Sequence, residues 1–216
     1  MRCFARWEKD DNAGVFFRDQ TILQFGDNWD LRANFILLNP GSALPLSDVD
    51  QSSLLREKNL PYFVEPKKGE KYVEFSIDRL MNDVLKVFSA RFDGGSIRLY
   101  NLFNLKNQKS GEAIEQFLHN SSHPKMFAEK NEIKFCDAPV IVASGGNAKC
   151  NKALKDELIR HISLAKRENL YAVSKIGLKE FSVIKASPDT SGFIESYHPS
   201  YTFKYGNTTT ISTLCT

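Results

Sequence analysis

Short apolar runs alternate with longer polar stretches along this chain. Phe35-Ile36-Leu37-Leu38 is apolar at every position, which suits a strand buried on both faces. Asn39-Pro40-Gly41 ends it, because Pro removes a backbone donor and Gly permits a tight turn. The same pattern predicts strands over residues 97–103, 139–144, 170–173 and 181–184, the second of them stopped by Gly145-Gly146. Apolar positions recur at helical spacing over 75–88 (Phe75, Leu80, Val84, Leu85, Phe88), over 112–118, and over 147–166 (Leu154, Leu158, Ile162, Ala165). Residues 14–25 read as a β-hairpin folded about Arg18-Asp19-Gln20. Residues 44–72 read as a loop rich in Pro, Lys and Ser, with one short helix near Ser52-Ser53-Leu54-Leu55-Arg56, and 207–216 as a polar, Thr-rich tail.

Strands alternating with helices predict the α/β class, here a three-layer α/β/α arrangement around a central, mainly parallel sheet. One domain over residues 1–216 is expected, with 1–30 as an N-terminal β-hairpin addition. Ligands of such sheets bind beyond the carboxyl ends of the strands. The three best-marked strands end in Asn39-Pro40-Gly41, in Asn101-Leu102-Phe103-Asn104 and in Ser144-Gly145-Gly146-Asn147. Those residues are expected to rim one cleft.

Composition narrows the picture modestly. A hydrophobic fraction of 42% and a charged fraction of 25% over 216 residues exclude a disordered chain. The net charge of +3 permits a nucleic-acid partner without demanding one. Cys3, Cys136, Cys150 and Cys215 form no C-x-x-C pair, so zinc or iron–sulfur spacing is absent and reduced thiols are expected. Cys215 is penultimate and makes no prenylation box. The charged N-terminus does not read as a signal peptide, and no apolar run nears the ~18 residues of a membrane helix. A cytoplasmic monomer without a membrane partner is therefore expected. His119 and His123 are four apart, but Asn120-Ser121-Ser122 and Pro124 favour a loop over a metal-binding helix face, so neither metal nor cofactor is expected. Lys67-Lys68 with Lys71 reads as a solvated patch.

Four segments, taken in order, carry a resemblance. They are Phe35-Ile36-Leu37-Leu38-Asn39-Pro40-Gly41-Ser42-Ala43, Arg98-Leu99-Tyr100-Asn101-Leu102-Phe103-Asn104-Leu105, Val140-Ile141-Val142-Ala143-Ser144-Gly145-Gly146-Asn147-Ala148-Lys149 and Tyr197-His198-Pro199-Ser200. Together they resemble the active-site motifs of the uracil-DNA glycosylase superfamily, the first in the Asn-Pro-Gly version of its mismatch-specific members. They also resemble an uncharacterised family of small proteins with Leu-Asn-Pro and late His-Pro motifs. The matched residues cover about a seventh of the chain.

The resemblance implies a monofunctional DNA glycosylase acting on a damaged, mismatched or 5-modified pyrimidine in single- or double-stranded DNA, in repair or in defence against phage. Such an enzyme flips the base out of the stack, positions a water and sets a donor against the departing base. Asn39 would hold the water, as an alternative to serving as an ordinary strand-ending turn. His198 would stabilise the leaving base, since imidazole offers an N–H in either protonation state; otherwise it packs beside Pro199. Asn101 would read the base edge, or else bond strand-end backbone. Ser200 would contact a phosphate, or serve as a turn hydroxyl. Uracil-specific members place a Tyr where Gly41 stands, so its absence implies a pocket open to a 5-substituent, unless Gly41 merely satisfies a backbone angle or another side chain fills the space. Gly145, Gly146 and Asn147, expected to open a helix, would cradle a phosphate, or simply cap. Tyr201 and Phe203 stand where the family carries a wedge, or belong to the core. No lysine lies in these motifs, so no lyase step is expected. A catalytically silent nucleic-acid binder on the same fold, or an enzyme acting on a small nucleotide, fits the same residues.

Overall fold

In the computed structural model the described residues are 1–205; the Thr-rich tail and Cys215 lie outside them. Eight strands make one sheet: β1 (Arg2–Asp10), β2 (Val15–Phe25), β3 (Leu31–Leu37), β4 (Tyr72–Phe75), β5 (Gly95–Asn101), β6 (Val140–Val142), β7 (Leu170–Lys175) and β8 (Phe181–Lys185). Five helices accompany it: α1 (Ser52–Glu57), α2 (Arg79–Ser89), α3 (Ser110–His119), α4 (Lys152–Ser163) and α5 (Ser200–Tyr205). The strand order is β4-β1-β2-β5-β3-β6-β7-β8.

The fold is α/β, with a mixed sheet. β5, β3, β6 and β7 run parallel to one another at its centre, which suits the continuous apolar runs of β3 and β6. The remaining neighbours, β4–β1, β1–β2, β2–β5 and β7–β8, are antiparallel, so the expectation of a mainly parallel sheet is corrected. The reason is local. β1 carries Arg2, Arg6, Glu8 and Lys9 among its apolar residues, which hides it from a search for apolar runs, yet it pairs on both sides.

The hairpin, too, differs from the one expected within 14–25. Its arms are β1 and β2, and its turn is residues 11–14, where Asp10 accepts hydrogen bonds from the Asn12 and Ala13 N–H groups and Gly14 takes a φ of 65°. Arg18-Asp19-Gln20 lies inside β2. Residues 1–30 do hold an N-terminal β-hairpin, and it joins the sheet through β2, which pairs with the central β5.

Alternation along the strands divides the core between the two faces. On one face Ile36, Tyr100, Val140 and Val142 meet Ala113 and Phe117 of α3 and Leu154, Leu158 and Ile162 of α4. On the other face Phe35, Leu99 and Ile141 meet Met81, Val84, Leu85 and Phe88 of α2. Those four positions recur at i, i+3, i+4 and i+7, and burying each is worth roughly 1.5–3 kcal/mol. α2 does not begin at residue 75 as its periodicity suggests. Phe75 closes β4, and Asp78 caps the helix by accepting the Met81 N–H at 3.0 Å.

Two buried cations tie the periphery together. Arg6 is paired with Asp19, Glu70 and Glu132, its bonds to Glu132 spanning 2.8 and 3.0 Å. Arg98, fully buried, donates to the Tyr62 carbonyl and to Gln20, and lies over the Tyr62 and Tyr100 rings. No helix among the described residues is long and apolar enough to cross a membrane.

Candidate functional site

A cavity of about 550 Å3 opens beyond the carboxyl ends of β3, β5 and β6. Asn39, Gly41, Asn101, Gly145, Gly146, Asn147, His198 and Tyr201 all line it, so residues up to 162 positions apart in sequence share one wall. Ser200 lines an adjoining open groove instead, together with Arg79, Lys86, Tyr201 and Lys204.

Asn39 stands two residues past the end of β3 and is held by its own amide. Nδ2 donates to the Pro40 carbonyl at 2.9 Å and to the Asn107 carbonyl at 2.7 Å. Two carbonyl acceptors dictate which end of the amide is nitrogen. Oδ1 is left with no hydrogen bond among the described residues and accepts from whatever enters the cavity. Asn101 ends β5, is 5% exposed, and its side chain makes no hydrogen bond among the described residues. Both its donor and its acceptor are therefore open to a ligand edge.

His198 precedes α5. The Ser200 backbone N–H, 3.3 Å from Nδ1, has a proton to give, and Ser200 Oγ is 2.8 Å from the same nitrogen. Nδ1 is thus the acceptor, which places the proton of the neutral ring on Nε2. Burial holds the imidazole below its ordinary value of 6.5, with the carboxylate of Asp78 opposing that shift. Neutral His198 therefore offers an N–H donor near pH 7. The Tyr197 N–H bonds to the Val173 carbonyl at 2.8 Å, and Ser144 and Ser196 share a hydroxyl hydrogen bond at 3.3 Å, so the His198 segment is fastened to β6 and β7. Ser200, expected at a phosphate, is engaged with His198.

Gly145 adopts φ 78° and ψ 173°, a conformation open to glycine, and lies 3.8 Å from the His198 Cβ where its own Cβ would be. The helix expected from residue 147 is corrected. Residues 146–150 form a short 3-10 turn, extended Asn151 interrupts it, and α4 starts at Lys152 with Asn151 Oδ1 accepting the Leu154 N–H at 3.2 Å. Gly145, Gly146 and Asn147 therefore line the cavity without standing at the N-terminus of α4. Tyr201 is 42% exposed and packs on Phe181 and Tyr197, whereas Phe203 joins the α2-side core.

Gly41 has no positive φ; what it provides is space. A Cβ there would lie 3.0 Å from Asp78 Oδ2. Arg79, Asn107 and Ser144 add to the polar lining, as do Asp78, Arg18, Thr21, Ser42, Gln108 and Ser110. Sequence reasoning missed all of them but Ser144. Asp78 had a signal, as an Asp ahead of an apolar helical run; Arg18 and Thr21, inside a misread hairpin, had none. His119 and His123 are used locally, His119 on the Glu115 carbonyl and His123 on Asp10 at 3.0 Å. Comparison of the chain with protein-family models, with curated proteins and with solved structures finds no match in any of the three.

Proposed function

We propose that this protein is a monofunctional DNA glycosylase that hydrolyses the N-glycosidic bond of a damaged, mismatched or 5-modified pyrimidine, on a three-layer fold of the uracil-DNA glycosylase kind. The observation that carries the reading is the convergence in one cavity of three complementary groups: the open Oδ1 of Asn39, the open amide of Asn101 and the Nε2 donor of His198. Asn101 pairs with the edge of the flipped base. His198 donates to the base oxygen as negative charge develops there. Asn39 Oδ1 holds the water that attacks the anomeric carbon as positive charge builds on the sugar. An amide orients this water without taking its proton, so slow turnover fits the arrangement.

The adjoining groove supports the DNA part of the reading. Arg79, Lys86 and Lys204 line it, and His198 and Tyr201 belong to both groove and cavity. A strand lying there would set its phosphates on the cations and one base over the cavity mouth. The test is incubation of the protein with oligonucleotides and phage genomic DNAs carrying different 5-substituted pyrimidines, scored for abasic sites. Release of one or more bases is expected. Salt-dependent binding with no base release from any substrate would favour a silent binder, and no DNA binding at all an enzyme of small nucleotides.

A further inference from the structure

Arg18 and Thr21 reach the cavity because β2 carries an extra residue. Phe4 faces Ile22 and Arg6 faces Asp19, so three steps along β2 oppose two along β1, and Gln20 takes a φ of 51°. Residues three apart in a regular strand point to opposite faces. The bulge brings both side chains to the same cavity.

Both arrive with hydrogen-bonding capacity unused. Arg18 is 3% exposed, and its guanidinium makes one hydrogen bond among the described residues, from Nη1 to the Ala43 carbonyl at 3.3 Å. Arg18 Nε and Thr21 Oγ1 are sealed without a partner. Among the described residues no carboxylate forms an ion pair with Arg18. Asp78, the acid in its electrostatic neighbourhood, spends Oδ1 on the Met81 N–H. Lys106 adds a second positive charge nearby; burial, and then Arg18, hold its ammonium below the ordinary range. The Phe75 ring lies 5.4 Å from the guanidinium and carries no countercharge. A buried cation without a partner is costly, and a ligand anion removes that cost.

We infer that Arg18 and Thr21 form a subsite on the cavity floor for a carboxylate or phosphate oxygen, so that the pyrimidine ligand carries an acidic group. The subsite deepens the reading of the cavity as a base pocket and rests on it for the pyrimidine part of the ligand. Guanidinium binds both oxyanions through charge-assisted hydrogen bonds, and a threonine hydroxyl adds a donor. Two sources share this chemistry, an acidic substituent on the base and the phosphate of a free nucleotide.

Calorimetric titration of the full chain with cytidine, 5-carboxycytidine and cytidine 5′-monophosphate separates them. At least one acidic ligand is expected to bind about tenfold or more tightly than cytidine. Preference for 5-carboxycytidine assigns the acid to the base, and preference for the monophosphate assigns it to a nucleotide phosphate. Arg18→Met keeps the apolar stem and should erase the preference, and Thr21→Val, nearly isosteric, should narrow it. If Arg18→Met does not fold, the wild-type comparison and Thr21→Val decide. Equal affinity for the three ligands, no binding of any, or a preference undiminished in the variants overturns the inference. Binding is read without base release, so a chain that binds acidic pyrimidines yet cleaves nothing would lose the glycosylase reading and keep the subsite.

Discussion

The carboxylate of Asp78 stands 3.0 Å from the point where a side chain on Gly41 would begin. The space beside Gly41 is thus partly filled by a carboxylate oxygen that precedes α2. Any side chain at position 41 must push Asp78 back by a few tenths of an ångström before it can close the proposed pocket. We expect Gly41→Tyr to lower stability and Gly41→Tyr with Asp78→Ser, which retains a capping oxygen, to recover part of it. A double-mutant cycle by thermal or urea unfolding should give a coupling of about 1 kcal/mol or more. Additive effects would show that the two residues do not compete for the space.

Asn39 gives a second, sharper expectation. Its amide nitrogen faces two carbonyls, of Pro40 and Asn107. Asn39→Asp would set a carboxylate oxygen against both, and a lost donor with a buried charge costs at least ~1–3 kcal/mol. Asn39→Asp should therefore be less stable than Asn39→Ala and should not raise the rate of base release, although a carboxylate is the stronger base. Urea denaturation and abasic-site yield check both halves.

His198→Ala should keep the fold and lower base release by a factor of hundreds, the ~3 kcal/mol of one donor to a developing oxyanion. Because burial depresses the folded-state value below 6.5, the ring is still neutral as pH falls through 6.5, and since the neutral and the protonated ring both carry Nε2–H, base release should not fall on this account. The linked stability term, by contrast, does fall with acid. It is intact above 6.5 and is lost as pH falls from 6.5 toward the lowered folded value, since the unfolded chain takes up the proton first. A wild-type rate that drops on the acid side of 6.5 where the His198→Ala rate does not would contradict the donor role.

The groove cations set the salt dependence. With Arg79, Lys86 and Lys204 each neutralising one phosphate, log affinity for single-stranded DNA should fall with log salt at a slope of roughly −2. Replacing any one of them by Ala should flatten the slope by about 0.7. Fluorescence anisotropy over a salt series measures it, and a slope unaffected by all three replacements would place the strand elsewhere.

Arg6, on β1, is paired with Asp19 in the β2 bulge. Removing it by Arg6→Met leaves Asp19 and Glu132 buried without their cation. That should cost about 3–5 kcal/mol by chemical denaturation. Because Asp19 lies in the bulge that aims Arg18 and Thr21, ligand binding should weaken as well.

Much of the fold class and the motif end of the cavity was legible in the sequence. The continuous apolar runs at 35–38 and 140–142 suit the middle of a covered sheet, and the polar residues just past such strands then converge at one edge. Asn39, Asn101 and Gly145 follow from that logic because each stands at or just past the end of a strand, whereas His198 entered only through the resemblance carried by its motif. The antiparallel half of the sheet was not legible, since the charges of β1 find their partners, such as Asp19 and Glu132, only across the assembled structure. Nor was the floor of the cavity. A bulge depends on the register between two strands, so which face Arg18 presents is decided by pairing with β1 and not by any local pattern. Likewise the meeting of Gly41 with Asp78 follows from how loops close over the sheet. Local patterns set which segments are buried and where they end; only tertiary contact decides what an unpaired polar group faces.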